Sequence, residues 1–168
     1  MSVWRGQPMR LTIRTNLALR TLMVCATNPG QIVRKSDVAT LCNASENHLG
    51  QVVRLLAQHG FIDAMRGRHG GIQLSRRPEQ INVGAVFRLF EFDHPFAECF
   101  EGADNTCPLI DCCWLRPALK HAVEAFYQSL DKLTLTDLVD GNADLHKTLS
   151  MEASPDCNRT IFACPAHA

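Results

Sequence analysis

The sequence contains no long hydrophobic run. Nowhere in its 168 residues does an apolar stretch approach the ~20 residues that a membrane-spanning helix needs, which excludes a helical membrane protein. It begins MSVWRGQP, with no apolar segment to serve as a secretory leader. Met9 suits an original start, with 1–8 as an N-terminal extension. There is no phosphate-cradling loop, no recognisable catalytic triad and no length to spare for a substrate domain, so the chain does not read as an enzyme. The expectation is a cytoplasmic chain without membrane partners, one domain by length or one domain with an added arm.

Net charge is absent too, with 17 Lys+Arg against 17 Asp+Glu, but the zero conceals a division. Residues 1–80 hold 11 basic against 4 acidic side chains, a balance of +7, and residues 81–168 hold 6 against 13, a balance of −7. Chance segregation of surface charge is one reading. The other is a half that meets a polyanion joined to a half with a different task.

The basic half has an ordered pattern. TIRTNLALRTLMVCAT (12–27) reads as a helix with Leu11, Ala18, Leu22 and Cys25 near one face, stopped by Asn28-Pro29-Gly30. SDVATLCN reads as a short second helix with Ser36 as N-cap and Val38, Leu41 and Cys42 turned inward. A tight turn at Asn43-Ala44 leads to a second N-cap, Ser45, and to ENHLGQVVRLLAQHG. There Leu49, Val52, Val53 and Leu56 recur at helical spacing as a buried stripe, while Asn47, His48, Gln51 and Arg54 share the other face. Two short helices across a tight turn make a helix-turn-helix. The early polar side chains Ser45, Asn47, His48 and Gln51 are suited to base edges in a major groove. The pattern then changes to period two: FIDAMR and GIQLSR flank RGRHGG, a hairpin whose tip carries Arg66, Arg68 and His69. Gly67, Gly70 and Gly71 permit positive φ in it. Each piece alone also suits plain core packing. In this order, with a +7 balance, they predict a winged helix that binds double-stranded DNA, the wing arginines meeting phosphates or the minor groove.

In the acidic half, VGAVFRLFE (83–91) reads as a short amphipathic helix. A long helix is expected from Arg116 to Leu130, with Pro117 in its first turn and Leu119, Val123, Phe126 and Leu130 as an apolar stripe. Such a stripe serves either intramolecular packing or a dimer seam, and a dimer would suit an inverted-repeat DNA site. Between these helices lie Cys99, Cys107, Cys112 and Cys113, within fifteen residues rich in Asp, Gly and Pro. Clustered cysteines without a leader argue for metal or redox work over disulfides. The spacing C-x7-C-x5-C of Cys99, Cys107 and Cys113 is looser than the tight pairs typical of structural zinc. An iron–sulfur cluster on three thiolates fits it better, with zinc or unligated thiols as the alternatives. Cys25 and Cys42 read as buried small hydrophobes. Cys157 and Cys164 lie in an aperiodic segment, 151–168, expected to be a flexible tail.

The stretches MRLTIRTNLALRTLM, RGRHGGIQLSRRPEQINVGAVFR, ECF…CPLIDCCWLRPAL and AFYQSLDKLTLTDLV resemble the Rrf2 family of iron–sulfur winged-helix transcriptional regulators, across nearly all of 9–150. The resemblance implies a mainly α fold with a small β wing. It divides the chain into a winged helix-turn-helix domain at 9–80 and, at 81–150, a cluster-binding loop with a long dimerisation helix. It implies a homodimeric repressor on an inverted-repeat operator, holding a cluster, four-iron in preference to two-iron, on Cys99, Cys107 and Cys113. Asn16 matches the position from which some members lend a fourth ligand across the dimer; His94, Cys112, water or a small thiol are other candidates. The nearest branch senses nitric oxide as ligand and releases DNA on nitrosylation. The alternative branch responds to iron.

Overall fold

A computed structural model describes residues 11–67, 70–91, 96–100 and 106–151. The expected winged helix is present. Helix α1 (Ile13–Thr27) is followed by α2 (Lys35–Leu41), α3 (Glu46–Gln58), strands β1 (Ile62–Met65) and β2 (Gly71–Leu74), and α4 (Val83–Glu91). The acidic half continues with α5 (Leu115–Leu130), α6 (Leu135–Val139) and α7 (Ala143–Leu149).

Helix α1 is the axle of the molecule. Thr12 caps it, its hydroxyl accepting from the Thr15 amide at 3.1 Å. Leu17, Ala18, Leu22, Val24 and Cys25 are buried around it, which is wider than one amphipathic stripe because α3, α4, α6, α7 and β2 all pack on it. Leu11, expected on the inner face, lies before the helix and is exposed. At the other end Asn28 is buried. Its amide donates to the carbonyls of Val24 and Leu149, both at 2.8 Å, and its oxygen accepts from the Met151 amide at 2.7 Å. One polar side chain thus pins the end of α7 onto the end of α1.

Strands β1 and β2 pair antiparallel, Ile62 opposite Leu74 and Met65 opposite Gly71. Val33, just before α2, exchanges two backbone hydrogen bonds with Ile72 (2.9 and 2.8 Å) and ties the wing's base to the helices. Of the three wing glycines, each of which permits positive φ, only Gly67 adopts it, at 101°. Gly70 and Gly71 are required for another reason. A Cβ at Gly70 would meet the Met65 carbonyl oxygen, and one at Gly71 the Val33 carbonyl oxygen. Ser36 is not the cap of α2: Arg34 occupies that position and Ser36 lies in the first turn, donating to Asp37 at 3.2 Å.

One buried hydrophobic cluster runs from Leu17 to Leu149, crossing residue 80 through Ile81, Val86, Phe90 and Leu135. The two ends of the acidic half return to that core by different means. Asn82 donates through its side-chain amide to the Asp131 carbonyl at 2.6 Å, and the Leu135 amide donates to the Ile81 carbonyl at 2.8 Å. Helix α5 stands apart: none of its residues is fully buried.

Candidate nucleic-acid interface and cysteine segment

Helix α3 divides as its sequence does. Leu49, Val52, Val53 and Leu56 are buried, and Ser45, Asn47, His48, Gln51 and Arg54 are exposed together on the opposite side. The Ser45 hydroxyl accepts from the His48 amide at 3.3 Å, so this residue caps the helix while facing solvent. The turn before it is as tight as expected. Asn43 takes φ of 48°, a left-handed conformation that asparagine tolerates better than most residues, and the Ala44 amide donates back to the Ala39 carbonyl at 2.9 Å.

The basic side chains near this face sort into held and unheld. Arg76 is held: it donates to the carbonyls of Gly60 (2.8 Å) and His59 (3.3 Å), satisfying the end of α3, and its guanidinium lies 5.2 Å from the Phe61 ring centre. It clamps the wing to the end of the recognition helix. Arg54 and Arg66 are exposed, and each makes no hydrogen bond or ion pair with another described residue. Arg68 and His69 lie outside the described residues, as does His94.

The described parts of the cysteine segment, 96–100 and 106–114, consist of bends and turns, with one short 3-10 turn at Glu98–Phe100. The Ile110 amide donates to the Cys107 carbonyl at 3.3 Å, and the Cys112 amide to the Leu109 carbonyl at 3.0 Å, so 107–112 is folded back twice before α5 begins. Cys99, Cys107 and Cys113 are half-buried and Cys112 is exposed. An open cavity of about 720 Å³ lies where this segment meets the first turns of α5, bounded by Phe100, Cys112, Cys113, Trp114, Arg116 and Lys120. Trp114 is 90% exposed. Among the described residues no three His, Cys, Asp or Glu side chains gather closely enough to enclose a single metal ion. The donor set suits an iron–sulfur cluster by its chemistry: three soft sulfur ligands, half-exposed on an irregular loop, with cationic Arg116 and Lys120 nearby. Asn16 is exposed in the first turn of α1. Cys25 and Cys42 are buried as expected. Desolvation, then the neighbouring Cys42, pushes the Cys25 thiol up to about 12, and desolvation also raises Cys42 against the lowering effect of Arg20.

Two connections leave this segment. At its far side, α5 is fastened to α4: Phe126 meets Phe87 edge-on at 5.9 Å, and Arg88 pairs with both carboxylate oxygens of Asp131 (2.5 and 2.7 Å) while lying 4.7 Å from the Tyr127 ring centre. The paired guanidinium holds the Asp131 carboxyl below the usual carboxylate range. At its near side, Glu91 ends α4 just before the segment. Its Oε1 accepts from the Thr12 amide and the Thr12 hydroxyl, both at 3.1 Å, and from the Thr15 hydroxyl. The sequence reading missed this cluster, because a threonine pair at the head of a helix signals only a cap. It missed α6 and α7 as well, although Thr134 with Asp137 is a capping box and Asn142 caps α7.

Known proteins agree with this architecture. Residues 11–141 match the family model described as Rrf2: Iron-dependent Transcriptional regulator. The chain is 39% identical over 145 residues to the HTH-type transcriptional regulator NsrR of Bacillus subtilis, covering 86% of this chain and 99% of that one. It is 41% identical over 142 residues to the NsrR of Geobacillus kaustophilus, covering 84% and 97%. The oxidized form of Staphylococcus aureus CymR superposes with a TM-score of 0.62 at 25% identity, over 80% of this chain and 98% of that one. These relatives are transcriptional regulators, not enzymes, and no described helix is long and apolar enough to cross a membrane. The chain belongs to the Rrf2 family of transcriptional regulators.

Proposed function

We propose that this regulator is a homodimeric, cytoplasmic repressor whose hold on an inverted-repeat operator depends on an iron–sulfur cluster held by Cys99, Cys107 and Cys113, four-iron in preference to two-iron. Nitric oxide is its signal. The observation that carries the reading is the placement of those three half-buried sulfur ligands on the segment that joins α4 to α5, in a chain whose α3 offers an unoccupied polar face. When bound, the cluster supplies irons that nitric oxide attacks.

The rest belongs to the protein's own side chains. Ser45, Asn47, His48 and Gln51 read base edges in the major groove, while Arg54 and the wing residues Arg66, Arg68 and His69 hold the backbone. Helix α5 supplies the dimer seam. Leu119, Val123, Phe126 and Leu130 are only half-buried in the single chain, and Trp114 and Leu115 are exposed at its head, a face that a second copy would cover. Asn16 sits in the first turn of α1 where a partner's segment could meet it. Its neutral amide is a weak donor to iron, so it is assigned proximity to the cluster and not a firm bond. Two paired reading helices need a fixed separation, and any change in the segment that precedes α5 alters it.

A second reading has a specific support: the matching family model is described as iron-dependent. In that case loss of iron, not nitric oxide, releases the operator. Anaerobic titration with nitric oxide at constant iron, with absorbance and DNA retention followed together, separates the two. Release in step with the absorbance change supports nitric oxide sensing. Retention through that titration, with release on iron chelation, supports the alternative.

A further inference from the structure

Glu91 is oddly placed for a carboxylate. It is the last residue of α4, where the partial negative charge of its own helix opposes it. What compensates is the N-terminus of α1. There the Thr12 amide, the Thr12 hydroxyl and the fully buried Thr15 hydroxyl all donate to the single oxygen Oε1. The Thr12 and Thr15 hydroxyl oxygens lie 2.8 Å apart, so their two protons are shared among the three oxygen–oxygen contacts. Charge-assisted bonds of this kind are about twice as strong as neutral ones, so the contact is a firm joint between two helices.

Its position gives the joint a use. Glu91 stands at the root of the segment that carries Cys99, Cys107 and Cys113. Thr12 and Thr15 head a helix that packs along the recognition helix α3. A turn further along α1, Arg20 donates to the Cys42 carbonyl at 3.3 Å, the C-cap of α2 immediately before the turn into α3. One rigid helix is therefore tied at its head to the last residue of α4, from which the chain enters the cysteine segment, and further along to the turn between α2 and α3.

We infer that Glu91 is a positioning residue through which the state of the cysteine segment reaches the DNA-reading helices. The inference rests on the cluster-dependent repressor reading above. It is distinct from that reading, because the cluster can govern DNA affinity through α5 and the dimer alone.

The test compares E91A, E91Q and T15V with the unaltered protein. DNA affinity is measured for the cluster-loaded and the cluster-stripped forms, with iron and sulfide content, thermal midpoint, and amide exchange at Thr12 and Thr15. The expected result is full iron and sulfide content and unchanged affinity of the stripped form in every variant. The loaded-to-stripped affinity ratio should fall at least about fivefold in E91A, the lower end of typical coupling factors. E91Q keeps a neutral acceptor at Oε1 and should recover part of the ratio. T15V, which leaves the carboxylate in place, should lose part of it. Faster exchange at Thr12 and Thr15 should accompany the loss. An unchanged ratio in E91A, with the unaltered protein still cluster-dependent, overturns the role of Glu91 alone. Equal loss of both affinities alongside a lowered midpoint also overturns it, by making Glu91 purely structural. If the unaltered protein binds DNA equally in both forms, the repressor reading fails and takes this inference with it.

Discussion

Asn47 and Gln51 face solvent on a helix whose other side is sealed into the core, so alanine at either position leaves the packing undisturbed and, on the proposed reading, removes a base contact. Each replacement should weaken binding to the preferred operator by about 1–3 kcal/mol, with relaxed sequence preference and an unchanged thermal midpoint. Arg54→Ala should instead weaken binding to all sequences alike and lower the salt dependence by about one phosphate contact, read as the slope of affinity against salt concentration. The thiols sort by exposure in the same way. Brief alkylation of the cluster-free native protein at mildly alkaline pH should label Cys112 before Cys99, Cys107 and Cys113, while Cys25, buried and pushed up to about 12, should react only after unfolding. Peptide mapping by mass spectrometry reads the order. At this scale the sequence was informative wherever a residue's role follows from helical spacing, as with Leu49, Val52, Val53 and Leu56. It was silent on Glu91 and Arg76, whose partners are distant in the chain and set by packing. It did not reveal that Gly70 and Gly71 are constrained by a neighbouring carbonyl oxygen and not by the backbone angle.

Helix α5 is the element whose surroundings the single chain leaves unfinished. Among the described residues its attachments to the core side lie at its C-terminal end, through Phe87, Arg88 and Asn82. Val123→Glu should shift the protein from dimer to monomer in sedimentation, since a charge on a half-buried seam position cannot be covered by a second copy. The Arg88–Asp131 pair gives a pH signature. Asp131 has a depressed carboxyl in the folded chain, so its contribution is present above the ordinary carboxylate value of about 4 and fades as pH falls through the folded value. The thermal midpoint of Asp131→Asn should therefore lie below that of the unaltered protein at neutral pH and converge with it in acid. Elements with strong periodicity were legible to within a residue: α4 at 83–91, and α5 one residue earlier than expected. Helices α6 and α7 are too short for periodicity to reveal, and only their caps announced them. The limits of α2 were misjudged because Arg34, with no capping side chain, occupies the N-cap that Ser36 seemed built for.

At the scale of the whole molecule, the +7 and −7 halves share one hydrophobic core. The division of charge is thus a division of surfaces and not of folding units. The exposed polar face of α3 belongs to the basic part of the chain, and the cysteine segment joins α4 to α5 in the acidic part. Helix α1 packs against α3, α4, α6, α7 and β2, so on the proposed reading a change that reaches it has a rigid body to act on. Sequence order alone foretold the winged helix. It did not foretell that 135–149 folds back onto α1, since that depends on Asn28 reaching a carbonyl 121 residues away. The claim on which the rest depends is that operator affinity follows the integrity of a cluster on Cys99, Cys107 and Cys113. The most direct measurement is retention of an inverted-repeat DNA by anaerobically purified protein before and after removal of iron and sulfide, at one fixed salt concentration. The account predicts tight, selective binding before removal and weak, unselective binding after it. Equal affinity and equal selectivity in the two forms would contradict it.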